Sequence, residues 1–271
     1  MTMTTALNTQ IPVRSCATIP EPLRRLCDTH PGGHAMVISI VGAGGKTSCL
    51  FWLAQAFSQL GKKVMITTTT HMFLPREGFP VILACHPVRL PDAVTNRGSF
   101  ACYTGWNPQN NKVRGFSAAD INALAEQNAV DVILAEADGA RGFGIKAPAE
   151  HEPCIPDYSD CVIAVTDGRL LGASVGPDNV HRWSHFSAVT GLNSGDTLDL
   201  GAISRLIRHP QGMWKSAPPD ALRIWLINRF SQNENFSPDI LADWIRGTPL
   251  NAVWFGAVRE DPAITHILQR Q

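Results

Sequence analysis

Three features of the 271-residue sequence predict an α/β fold of three layers around a mostly parallel central sheet. Short runs are apolar or nearly so, helices of amphipathic spacing fall between them, and a glycine turn joins the first run to the first such helix. A strand buried on both faces reads as an unbroken apolar run, whereas a half-exposed one alternates. Crossover connections between parallel strands then place the helices against the sheet faces.

Residues 1–17 are polar, Thr-rich and without period, as expected of a tail. Pro20–Asp28 suits a short helix with Leu23, Leu26 and Cys27 on one side. Residues 1–34 are therefore set apart from a single domain over 35–271. Met36–Val41 is the first buried strand. Lys46–Leu60 is the helix after it, apolar at Leu50, Leu53, Ala54, Phe57 and Leu60 and closed by Gly61. Val64–Thr67 is the second strand, with weaker ones at Val81–Ala84 and Phe100–Tyr103. Ser117–Gln127 reads as a helix with Ser117 as its N-cap and Asp120 in its first turn. Val130–Glu136 and Cys161–Thr166 are buried strands. The proline-bearing loop between them, 137–157, has a length that usually accompanies function. Asp178–Val189, Leu200–Arg208 and Pro238–Arg246 are expected helices, Gln211–Asp220 a connection, and Arg223–Ile227 and Asn251–Val258 the final strands.

Lys+Arg and Asp+Glu number 23 each, so the chain has no net field to attract nucleic acid or anionic lipid, and neither is expected as a partner. A composition 44% hydrophobic and 17% charged excludes a disordered chain. No apolar run approaches the ~18 residues of a membrane span. The seven cysteines (Cys16, Cys27, Cys49, Cys85, Cys102, Cys154 and Cys161) are odd in number and form no C-x-x-C pair. That argues against a disulfide framework or a zinc knuckle. With no basic-then-apolar leader, a cytoplasmic location is expected, and a homodimer is left open.

The sharpest chemical signal is Gly42-Ala43-Gly44-Gly45-Lys46-Thr47-Ser48, placed between a buried strand and an amphipathic helix. Glycines let successive backbone N–H groups wrap a phosphate, and the helix N-terminus adds its dipole. Lys46 offers a point charge for β- and γ-phosphates and Thr47 a hydroxyl for Mg²⁺. These features make the fold P-loop NTPase-like. The match to the full Walker A pattern is incomplete, because Ile40 stands where its first glycine belongs. The shorter G-x-G-G-K-T form is closer to the loop of Mur-type ligases.

Val132–Gly139 has Walker B character, with Glu136 and Asp138 at the C-terminal edge of a strand, where parallel sheets bind ligands. Lying two apart, both carboxylates face one way, suited to Mg²⁺ and to orienting or deprotonating a nucleophile. In the loop that follows come Arg141, Lys146, His151 and Glu152, and its glycines and cations could close on an anion, although a solvated loop would also carry them. Thr69 and His71 end the second strand's polar run and are candidate substrate contacts. His181 and His185 stand at i, i+4 on an expected helix. The glutamate of H-E-x-x-H is missing, so Arg182 as an anion contact is preferred to a metal there. Leu226–Ser231 sits where guanine-specific P-loop proteins carry N-K-x-D. Arg229 and Ser231 replace the lysine and aspartate, which leaves Asn228 as a candidate base contact and ATP as the expected nucleotide. Cys49 suits buried packing.

Taken in order, several blocks resemble the YqeC family. They are Gly42–Thr47, Thr68–His71, Glu136–Arg141, Lys146-Ala147-Pro148, His151-Glu152-Pro153, Ile155-Pro156, Val180-His181-Arg182 and Thr190-Gly191. The resemblance spans about residues 35–260. It implies a P-loop protein acting as accessory factor in the maturation of selenium-dependent molybdenum hydroxylases, with such a hydroxylase as client and a small molecule or cofactor as second substrate. Lys46, Thr47, Glu136, Asp138, Arg141, Lys146, His151, His181 and Arg182 are the residues that match its blocks. The expected activity is Mg²⁺-dependent hydrolysis or transfer of a phosphoryl or nucleotidyl group from ATP or another nucleoside triphosphate, with Lys46, Glu136, Asp138 and Arg141 as the catalytic candidates. The alternatives are a nucleotide-dependent switch that docks on its client and a Mur-like ligase.

Overall fold

The first nearly all-apolar run, Met36–Val41, lies at the middle of a nine-stranded sheet. The computed structural model of the chain describes residues 19–75, 78–84, 90, 98–230 and 236–270; the expected tail over 1–17, with Cys16, and also Cys85 and Ser231 lie outside them. The chain begins with helix α1 (Leu23–Thr29), strand β1 (Met36–Gly42), helix α2 (Lys46–Gln59), β2 (Val64–Thr68) and β3 (His71–Phe73). Then come β4 (Val81–Leu83), β5 (Phe100–Tyr103), β6 (Gly105–Asn107), β7 (Lys112–Arg114) and α3 (Ala118–Glu126). The second half supplies β8 (Val132–Glu136), β9 (Ile145–Lys146), β10 (Ser159–Asp167), β11 (Val180–His181), α4 (Trp183–Thr190) and α5 (Leu200–Arg208). It closes with β12 (Leu222–Asn228), α6 (Pro238–Trp244), β13 (Ala252–Gly256) and β14 (Ile264–Gln269).

The sheet order is β14-β13-β12-β10-β1-β8-β2-β5-β4, and every neighbouring pair is parallel except β13 and β14. Parallel pairing explains the apolar runs, because each central strand must satisfy a layer on both sides. Met36, Ile38 and Ile40 of β1 pack with Leu23 of α1 and with Cys49, Leu50 and Leu53 of α2. On the other face, Val37 meets Ile121 and Leu124 of α3. The neighbouring half of that face, Val162, Trp225 and Phe255, meets Phe186 of α4, Ile203 and Leu206 of α5 and Leu241 of α6. The result is the three-layer α/β architecture expected, with helices on both faces.

Local signals act as anticipated at several termini. The Ser117 hydroxyl accepts from the Asp120 N–H, and Asp120 returns the bond to the Ser117 backbone, a closed capping box. Gly61, at φ +76°, ends α2 with the Gly61 and Lys62 amides donating to the carbonyls of Ser58 and Phe57. All main-sheet strands but β14 run one way, so the C-terminal ends of β8, β1, β10 and β12 meet on one edge of the sheet.

The structure corrects two expectations and adds one small sheet. Residues 178–189 are not one helix: His181 belongs to β11, paired with β9 as His181 opposite Lys146. Arg182 adopts a left-handed φ of 60° before α4 begins, so His181 and His185 share no helix face, and His185 stays exposed. The strand at 251–258 is not the last one. β14 adds antiparallel to β13 on the sheet edge, and its exposed residues lack the apolar run that marks the inner strands. A small antiparallel sheet of β3, β7 and β6 also stands outside the expected elements, because strands of three residues carry no readable period.

Candidate active site

At the end of β1 the chain turns through Gly42, Gly44 and Gly45 at φ +90°, +84° and +123°. Side chains are excluded here as well as strained, since a Cβ on Gly44 would strike the Asp167 amide and one on Gly45 the Asn228 side chain. The turn is tied down from three directions. The Ala43 N–H donates to the Val165 carbonyl at 2.9 Å, the Gly44 N–H to Phe143 at 2.9 Å, and Asn228 Nδ2 to the Gly44 carbonyl at 2.7 Å. Asn228 Oδ1 in turn accepts from the Val258 N–H at 3.1 Å. With both ends of its amide engaged and 2% exposure, Asn228 braces the turn and is not free to contact a base, which corrects that expectation.

The amides of Gly45, Lys46, Thr47 and Ser48 donate to no acceptor among the described residues, and no side chain caps α2. Four unpaired N–H groups at a helix start, aligned with its dipole, form a ready anion site. Ser48 Oγ accepts instead from Arg259 Nε at 3.0 Å, which holds the outer side of this turn.

Beside it runs a row of alternating charges. The Thr47 hydroxyl donates to Glu136 Oε2 at 2.8 Å. Lys46 Nζ lies 3.8 Å from Glu136 Oε1 and 3.0 Å from Asp138 Oδ1, and donates to the Gly42 carbonyl at 2.9 Å. Asp138 Oδ2 receives the Gly42 N–H at 3.1 Å and pairs with Lys146 Nζ at 3.0 Å. Lys146 donates to Glu152 Oε2 and to the Gly139 carbonyl, both at 2.6 Å, and Glu152 Oε1 accepts from Arg182 at 2.9 Å. Three acids face three bases, so the row is neutral. Its lysines and carboxylates are all buried, which such a row tolerates only because each charge has a partner.

Burial works against the charge on Lys46, but Asp138 and Glu136 outweigh it and hold its pKa above the ordinary lysine value. Burial raises Glu136 above the usual carboxylate range, against the pull of Lys46 and the Thr47 hydrogen bond. Glu152 stays below that range despite its burial, because Lys146 and Arg182 both bind its charged form.

Three of the six buried polar atoms without a hydrogen-bond partner among the described residues surround this row: Asp138 Oδ1, Thr69 Oγ1 and Arg182 Nε. Asp138 Oδ1 has the Lys46 ammonium 3.0 Å away but no well-directed hydrogen bond, so an acceptor site remains open on it. Thr69 donates its own N–H to the Glu136 carbonyl at 3.0 Å, which sets its unpaired hydroxyl at the same strand end. Unpaired polar groups gathered in this way could accept or donate further hydrogen bonds at the strand end.

On the β10 side of the turn opens a cleft of about 550 Å³, lined by Arg141, Phe143, Asp167, Arg169, Asp178 and Arg229 among others. Asp167 pairs with Arg169 and Arg229, each at 2.7 Å, and the two guanidiniums hold its carboxyl below the usual range despite its burial. Three guanidiniums against two carboxylates leave the cleft positive. The described structure thus brings together Gly42, Ala43, Gly44, Gly45, Lys46, Thr47, Ser48, Thr69, Glu136, Asp138, Lys146 and Arg182, with Arg141 in the neighbouring cleft. His71 is exposed on β3, and the exposed His151 only offers its carbonyl to Cys154 Sγ. Neither joins the row.

His181 stacks on Phe143 at 5.5 Å, and burial, with Lys146 and Arg182 nearby, pushes its pKa down to about 4. Its imidazole is therefore neutral near pH 7. Between pH 6.5 and 4 the unfolded chain takes up a proton that the folded one refuses, so this contribution to stability is whole above pH 6.5 and fades toward pH 4. In His181→Gln the fall of the thermal midpoint over that range is expected to be shallower than in the parent. Parallel profiles would show that His181 titrates normally.

Asp167 is a site-shaping residue that motif reading does not assign, while Glu152 and Asn228 stand in motif blocks that do not reveal their bracing roles. Glu152 stood in the His151-Glu152-Pro153 block, where its separation of six from Lys146 fits no regular element. Asp167 ends a buried strand as Glu136 does, and that placement is the signal by which it could be found.

A family model described as YqeC protein matches residues 38–184. Over 247 residues, 91% of this chain and 96% of the relative, the sequence is 47% identical to a protein of Escherichia coli (strain K12) called uncharacterized protein YqeC. A segment of 65 residues, 24% of the chain, is 40% identical to a UDP-N-acetylmuramoyl-L-alanyl-D-glutamate--2,6-diaminopimelate ligase of Nitrosomonas europaea. That segment spans 12% of the ligase.

Proposed function

Because the chain belongs to the YqeC family and gathers one anion cradle with an acid–base row, we propose that it binds a Mg²⁺–nucleoside triphosphate, ATP foremost, and hydrolyses or transfers its phosphoryl or nucleotidyl group. One observation carries this reading. Four unpaired amides, 45–48, open at the same helix start where Lys46, Glu136 and Asp138 converge. The amides and Lys46 hold the phosphates, with the ammonium turning from Asp138 toward them. Thr47, Glu136 and the open Oδ1 of Asp138 offer oxygen donors only, which suits Mg²⁺. When bound, the ion supplies positive charge to the phosphate oxygens. Lys146 keeps Asp138 in place as Lys46 leaves it, and the Thr69 hydroxyl is free to bond the transferred group or a water.

The second substrate occupies the positive cleft, where Arg141 meets developing negative charge as electrostatic stabilisation of phosphoryl transfer requires. An anionic small molecule or cofactor fits its three guanidiniums. The role in maturing a molybdenum hydroxylase rests on the resemblance of the sequence blocks to the family. The short match to the diaminopimelate ligase favours a second reading, in which the acceptor in the cleft is a carboxylate. Trapping an acyl-phosphate with hydroxylamine would distinguish it.

Calorimetric titration of the full chain with ATP, GTP and CTP, each with and without Mg²⁺, tests the proposal. Wild type is expected to bind at least one of them, with a gain in affinity on adding Mg²⁺. Glu136→Gln preserves an acceptor for Thr47 and should lose most of that gain while still binding nucleotide. Absence of binding by every triphosphate with Mg²⁺ would overturn the assignment.

A further inference from the structure

The opposite edge of the sheet, at the N-terminal ends of β1 and β10, carries a second cluster that the nucleotide chemistry does not use. His30 and His34 flank Pro31-Gly32-Gly33, an H-x₃-H spacing, and Asp160 faces them from β10. One nitrogen or carboxylate oxygen from each of the three lies within 4.8 Å of the others. His30 Nε2 stands 3.4 Å from Asp160 Oδ1. The ligand–ligand edge of a tetrahedral zinc site with bonds near 2.0–2.1 Å is about 3.3 Å.

Each group is held with one atom turned inward. Asp160 Oδ2 accepts from the Val37 N–H at 2.8 Å, which leaves Oδ1 toward the histidines. His34 Nδ1–H donates to the Ala35 carbonyl at 2.9 Å, so its Nε2 keeps a lone pair, the arrangement in which a backbone carbonyl orients a ligating imidazole. The His34 ring also packs against His30 and Tyr158, with centroids 5.0 and 5.1 Å away. The His30 side chain is 9% exposed, and its buried Nε2 has no hydrogen-bond partner. A buried ring nitrogen left unsatisfied and aimed at a carboxylate is the independent sign that something is missing here.

The geometry points to a zinc-class divalent metal site formed by His30 Nε2, His34 Nε2 and Asp160 Oδ1, with a water in the fourth position. Two imidazoles and one carboxylate suit Zn²⁺, whereas Mg²⁺ takes oxygen donors, so the site is separate in kind from the phosphate turn. Ligation through Nε2 places the His30 proton on Nδ1 and releases the long 3.3 Å contact from the Gly32 N–H. Gly32 and Gly33 have no other residue within 4 Å of a Cβ position, so the loop has room for that adjustment. The bound ion fastens the connection between α1 and β1 to the start of β10.

The test is a titration of the metal-stripped full chain with Zn²⁺ against a chromophoric chelator, paired with the visible spectrum of the Co²⁺ form. One equivalent is expected to bind with a tetrahedral Co²⁺ spectrum and to raise the thermal midpoint. His34→Gln and Asp160→Asn should each weaken uptake at least tenfold and lose that rise; their melting without metal verifies that each is folded, and either variant alone suffices. Wild-type protein that takes up no zinc overturns the site. So does uptake that both variants retain, which would place the ion elsewhere, for instance on cysteines.

Discussion

Lys146→Met is expected to destabilise the protein by about 3–5 kcal/mol, the usual cost of removing one member of a buried ion pair. The Lys146 side chain is 1% exposed and serves Asp138, Glu152 and the Gly139 carbonyl at once. Methionine fills much the same volume but leaves three acceptors, two of them charged, with fewer donors. Glu152 keeps Arg182, and Asp138 keeps Lys46 and the Gly42 amide, so the fold should survive in weakened form. Urea unfolding of both proteins measures the difference. A loss below about 1 kcal/mol would mean that water or neighbouring side chains readily replace the ammonium.

If the proposed nucleotide site is right, Lys46→Ala should lower triphosphate affinity on the order of 100-fold, about 3 kcal/mol, because a desolvated charge proposed to meet phosphate is removed. The same change also costs stability, since Lys46 is 4% exposed and neutralises Asp138 and Glu136. Affinity is therefore compared by calorimetry at a temperature where circular dichroism shows both proteins folded. Equal affinities would remove the phosphate assignment from the turn.

The turn and its strand–helix frame were legible because their signals are local. Met36–Val41 is apolar apart from Ser39, the glycines leave few other conformations, and α2 carries its own spacing. Glu136 and Asp138 were legible as a strand end. What pairs with them was not. Lys146 ends a strand of only two residues and Glu152 lies in the irregular stretch after it, where residue spacing says nothing about direction, and Glu152 meets Arg182 from 30 positions away. His181 was assigned to a helix because 178–189 has helical spacing in part. Pairing with Ile145 and Lys146, together with the left-handed Arg182, overrode that local pattern. Asn228 illustrates the same limit: its place where guanine-specific P-loop proteins carry N-K-x-D suggested a base contact, while its partners Gly44 and Val258 come from distant parts of the chain.

That last linkage bears on biogenesis. The Gly44 carbonyl hangs on Asn228, which hangs on Val258, and the neighbouring amides rest on Val165 and Phe143. A nascent polypeptide leaving the ribosome therefore displays its glycine signature long before the braces that shape it have been synthesised. The shape of that turn is therefore completed only after Asn228 and Val258 have been synthesised and the distant strands have closed around it.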